Sequence, residues 1–108
     1  MSIRRIKKVS LCLGRHTMPL IEDSIFPTKV DPLDVHSLEE TAFTRIHELV
    51  KIGYVDEIQL YVTGLSVALL AVINAWHTYK RLAPHLKTQL VAYHYNRDDD
   101  TYYAQPII

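Results

Sequence analysis

Apolar and polar positions alternate with changing period along this chain, and each change marks an element. Residues 9–13, "VSLCL", are apolar and β-compatible, stop at Gly14 and predict a first strand, reaching back to Ile6 in its longest form. From residue 15 to residue 35 no period is visible, and Pro19, Pro27 and Pro32 interrupt the chain. A short hairpin around residues 22–24 fits this stretch, as does an extended loop, and connections this long are often functional. Leu38, Ala42, Ile46, Leu49 and Val50 then recur at helical spacing. Ser37 and Glu40 ahead of them have the spacing of a capping box, and Gly53 fits the stop. Residues 56–63, "DEIQLYVT", predict a second strand. Ser66–Leu82 predicts a second helix, apolar nearly all round through Ile73. Such a helix is expected to be buried by the sheet or by a second copy of the chain. Pro84 ends it, residues 86–95 read as a third strand, "NRDDD" as a turn, and residues 101–107 as an antiparallel return.

The order β-α-β-α-β-β predicts one compact Rossmann-like α/β domain over residues 1–108. Right-handed crossovers would make three strands parallel, with a C-terminal β-hairpin added. Composition changes this picture little: 48% hydrophobic and 22% charged residues are ordinary for a globular chain. The formal net charge of zero supplies no general attraction to duplex nucleic acid or to an anionic membrane. The apolar run 67–73 is far short of the ~20 residues that span a bilayer. The run 9–13 is too short for a signal-peptide core. A cytoplasmic protein without a membrane partner is expected. Cys12 is the single cysteine, cannot form an internal disulfide, and is expected to be a buried thiol. There is no paired Cys/His spacing, no GxGxxG after the first strand and no P-loop, so no metal and no cofactor is expected.

Ligands of open α/β sheets sit beyond the carboxyl ends of the parallel strands. There the first strand delivers Gly14, Arg15 and His16, the second Thr63, Gly64, Leu65 and Ser66, and the third His94, Tyr95 and Arg97. The start of the second helix adds free amides and a positive dipole end, which suit an anion, and Gly64 would let phosphate approach the backbone closely. Thr63 or Ser66 can equally serve as a plain helix cap. Arg97 can equally pair with the aspartates of its turn, and residues 98–100 read as a solvated charge run. His36, His47, His77 and His85 fall on helices or connections, and most of them are expected to be solvated. Alternating Tyr93, Tyr95, Tyr102 and Tyr103 cover a core or an interface more readily than they stack bases.

The segments "VSLCLGRH", "LYVTGLSVALLAVINA" and "VAYHYNRDDDTYYAQPII" together resemble the small CRISPR-associated, CARF-like ring nucleases. The resemblance covers the first strand and residues 57–108. It implies a Rossmann-like homodimer that binds a cyclic oligoadenylate across its two-fold axis and opens the ring without a metal, by attack of a ribose 2′-hydroxyl on the adjacent phosphorus. It also implies that Gly14, Thr63, Gly64, Leu65, Ser66, Tyr95 and Arg97 hold the ligand, while Arg15, His16 and His94 serve the chemistry. In-line attack needs positioning and electrostatic donors, and histidine suits proton transfer near neutral pH. Two other functions fit the same residues: a sensor or sponge that holds a cyclic nucleotide without cleaving it, and a small interaction protein whose apolar helix only makes a dimer.

Overall fold

Every second position in three of the strands is aliphatic, and these side chains are what the two helices cover. The structure, a computed structural model, describes residues 5–12, 23–26, 31, 33–51, 55–62, 66–96 and 98–107. Its elements are β1 (Ile6–Cys12), β2 (Asp23–Phe26), α1 (Val35–Lys51), β3 (Glu57–Tyr61), α2 (Ser66–Leu82), β4 (Gln89–Asn96) and β5 (Thr101–Ile107). They form a five-stranded mixed sheet in the order β2-β1-β3-β4-β5. β2, β1, β3 and β4 run parallel, and β5 is antiparallel to β4.

The expected order lacked one strand. Asp23–Phe26 forms neither a hairpin nor a loop. It is a parallel edge strand beside β1, with Val9 opposite Asp23 and Cys12 opposite Phe26. Four residues are too few for a period to show, but Ile25 and Phe26 are fully buried there. Lys7 and Asp23 join the two strands by an ion pair at 2.7 Å. Arg45 ties α1 to the same edge, its Nε donating to the Ser24 carbonyl at 3.2 Å.

α1 also starts earlier than the capping-box spacing implies. Asp34 is the cap: its Oδ1 accepts from the Ser37 amide at 3.1 Å, and its carbonyl accepts from the Leu38 amide. A carboxylate satisfies a free amide and opposes the positive end of the helix dipole. Ser37 is thereby left inside the first turn, and Glu40 pairs with His36 at 2.9 Å instead. α2 has the expected limits, and Pro84 follows its end within a turn closed by the Leu86 amide and the Ala83 carbonyl.

β2→α1→β3 and β3→α2→β4 both cross in the same direction along the sheet. Right-handed crossovers of that kind put both helices on one face. The helices accordingly touch each other: Asn74 donates to Glu39 at 3.1 Å, and the rings of Phe43 and Tyr79 lie 5.4 Å apart. Beneath them lies the core of Val9, Leu11, Ile58, Leu60 and Leu90, with Leu38, Ala42, Ile46, Leu49, Ala68, Val72 and Trp76 from the helices. The inner side of the apolar first turns of α2, Ala68, Ala71 and Val72, is thus buried within the chain, against sheet and α1. Val67, Leu69 and Ile73 are half-buried, and Leu70 is 58% exposed. No helix among the described residues is long and apolar enough to cross a membrane.

Candidate functional site

The rim expected to carry the chemistry is the edge where the parallel strands end. Strand order defines it. The chain leaves β1 for β2 on one side and returns as β3 on the other, so the topology reverses between β1 and β3. Ligands of open α/β sheets bind at such a switch point. The amino end of α2 comes to the same edge, since α2 follows the end of β3 with Ser66 as its exposed first residue.

Of the residues assigned to this rim, Gly14, Arg15, His16, Thr63, Gly64, Leu65 and Arg97 lie outside the described residues, as do Gly53 and the side chain of Cys12. Ser66, His94 and Tyr95 are described, and all three belong to the carboxyl end of the sheet. They do not share one surface. His94 and Tyr95 are consecutive on β4 and point to opposite faces. His94 is engaged by β5: its Nε2 lies 2.8 Å from Gln105 Oε1, and its ring stacks on Tyr103 at 5.2 Å. Those contacts hold the hairpin together. The Tyr95 hydroxyl donates to the Asp100 carboxylate. Asp100 sits at φ 54° in the turn, a left-handed conformation that aspartate tolerates better than most side chains.

The face away from the helices carries groups that the sequence pattern did not single out. Glu57, Gln59 and Tyr61 occupy alternate positions of β3 and form a row. Gln59 Nε2 donates to Glu57 Oε2 at 2.7 Å, and the Tyr61 hydroxyl donates to Gln59 Oε1 at 3.3 Å. Four tyrosines meet at the carboxyl end of this row. Tyr61 stacks on Tyr93 with ring centroids 5.1 Å apart and meets Tyr102 edge-on at 5.1 Å, and Tyr102 lies 5.4 Å from Tyr95. Burial pushes the Tyr61 phenol above its ordinary value of 10.0, and Tyr93, Tyr102 and Glu57 add to the shift. The alternation of polar and apolar residues in "EIQLY" marks the row, and Glu57 and Gln59 are buried in it, at 7% and 8% exposure.

At the opposite, amino edge the polar contacts are structural. Asp56 Oδ2 accepts from the Arg5 amide at 2.7 Å, and the Asp56 carbonyl accepts from the Gln89 amide at 2.9 Å, which ties β1, β3 and β4 together. On the helix side of the β2 edge the Asp23 carboxyl is held below its ordinary value by the Lys7 hydrogen bond, against the opposing effect of burial. His36, His47, His77 and His85 are exposed as expected, although His47 is not simply solvated, its Nδ1 lying 3.1 Å from the Tyr79 hydroxyl. No group of metal-ligating side chains occurs among the described residues. Comparison with family models, with curated proteins and with solved structures finds no match to this chain.

Proposed function

We propose that the chain binds a cyclic oligoadenylate, across a homodimer, at the carboxyl rim of its parallel sheet. The observation that carries this reading is the strand order. It directs the ends of β1, β3 and β4 and the amino end of α2 to one edge, at a reversal of topology. A phosphate there meets helix amides, and the adjacent tyrosines offer ring faces for bases.

Ring opening belongs to the same reading. The ribose 2′-oxygen would bond to the neighbouring phosphorus as the bond to the 5′-oxygen breaks. His16 would take the 2′-hydroxyl proton, His94 would give one to the leaving 5′-oxygen, and Arg15, which stays protonated, would hold the phosphate charge. The runner-up, a sensor or sponge without cleavage, is favoured by the engagement of His94 with Gln105 and Tyr103, which ties up one ring nitrogen of a proton-transfer group. Incubation with labelled cyclic oligoadenylates, followed by chromatography, separates the cases. Linear products support the nuclease, retained intact rings support the sensor, and absence of binding for every ring size overturns both.

A further inference from the structure

We propose that Tyr95 and Tyr102, on the face of the sheet opposite α1 and α2, form a stacking platform for an adenine base of the ligand, and that the Tyr61 hydroxyl accepts a hydrogen bond from the exocyclic amine of that base. The proposal deepens the oligoadenylate reading above and rests on it. Tyr95 and Tyr102 are 48% and 40% exposed, although their rings lie at the end of an ordered cluster. Tyr61 and Tyr93, half-buried and stacked, form its floor. Flat rings held by their neighbours lose little freedom when a base stacks on them, and stacking of this kind tolerates any base.

Selection for adenine comes from the polar row beneath. A Glu57 carboxylate oxygen accepts from the Gln59 amide nitrogen, so the Gln59 carbonyl oxygen is turned toward Tyr61. The Tyr61 proton is committed to that carbonyl. Its oxygen therefore offers lone pairs alone to anything bound above, and the partner must be a donor. The adenine amine is a donor; the corresponding oxygen of hypoxanthine is an acceptor. The charges agree with a base at the tyrosines and with phosphates away from Asp100, one at the α2 amides of the rim and another toward Lys8. The Asp100 carboxylate, which accepts from Tyr95, closes the tyrosine end to phosphate. Lys8 pairs in register with Gln59, alternates onto this same face, and is exposed with no ion pair among the described residues. It lies about one strand spacing from Gln59, ~4.8 Å.

Tyr103 provides an internal control. It follows Tyr102 directly and is more exposed, at 56%, but it points to the helix face and stacks on His94. The test is titration of labelled cyclic tetra- and hexaadenylate, and of the matching cyclic oligoinosinates, into parent and variants. Circular dichroism and light scattering are run on the same samples. Tyr102→Ala and Tyr95→Ala should each weaken adenylate binding by about fivefold or more. Tyr102→Phe should bind like the parent, and Tyr103→Ala should change affinity less than twofold. The parent should prefer adenylate to inosinate, and Tyr61→Phe should erase that preference. Folded Tyr102→Ala and Tyr95→Ala proteins with parental affinity overturn the platform and leave the oligoadenylate reading standing. Loss of affinity in Tyr103→Ala as large as in Tyr102→Ala overturns it too. A change of oligomeric mass in Tyr102→Ala without a change in affinity assigns the face to a contact between copies and overturns it as well. A parent that binds no oligoadenylate removes the ligand reading itself.

Discussion

Trp76 shows what a single position reveals in the folded state and hides in the sequence. It falls on the apolar side of α2, is fully buried, and its Nε1 has no hydrogen-bond partner among the described residues. A buried donor without a partner costs about 1–3 kcal/mol. Trp76→Phe sheds that donor while keeping an aromatic ring, whereas Trp76→Ala leaves a cavity worth about 3–5 kcal/mol. Urea unfolding should therefore find Trp76→Phe much closer to the parent than to Trp76→Ala. Tyr61 makes a different demand, on pH. Its phenol is raised above the ordinary 10.0, first by burial. The neutral form is favoured in the native state, so its contribution to stability is complete below the unfolded phenol value of ~10. That contribution is lost as pH rises through the higher native value. Tyrosinate absorbance should show one phenol titrating later than the exposed tyrosines. Tyr61→Phe should remove that late step and flatten the alkaline loss of stability. Neither property can be read from residue type: tyrosine on a strand becomes a perturbed acid only when Tyr93 and Tyr102 pack against it.

At the level of elements, period was a reliable guide wherever an element was long enough to show one. α2 has the limits expected of it because its apolar run and Pro84 bound it on both sides. β5 was equally legible, and its exposed Pro106 fits an edge strand, where a missing amide costs nothing to the ladder. β2 was illegible, since its four residues carry no period and its identity comes from pairing with β1 and from the Lys7–Asp23 contact. The start of α1 was displaced by competition between two caps. Ser37 has the right spacing, but Asp34 also brings charge to the dipole. Asp34→Ala should cost ~1 kcal/mol in thermal or urea unfolding, whereas Ser37→Ala should cost a few tenths at most. The reverse ranking would restore Ser37 as the cap.

Across the whole molecule, what the sequence could not supply was the side of the sheet on which each connection passes. Alternation of strands and helices led to a mostly parallel α/β sheet, but strand order decided that both helices share one face and that the other carries the tyrosines. The same topology changes the physical basis for a dimer. An apolar α2 was expected to be covered by the sheet or by a second copy; sheet and α1 bury its inner side, while Leu70 stays 58% exposed beside the half-buried Val67, Leu69 and Ile73. In the proposed reading the dimer forms around the cyclic ligand: each chain would contribute one rim, and a ring with two-fold symmetry can satisfy two rims at once. Light scattering at micromolar concentration should show the mass rising toward two chains on addition of the cognate cyclic oligoadenylate, with a stoichiometry of one ring per two chains. The melting temperature should rise with ligand concentration, since ligand at 100 times Kd adds about 2.7 kcal/mol to the stability of the bound form. Saturable binding at one ring per chain with unchanged mass would leave the rim as a binding site and remove the dimer from the mechanism.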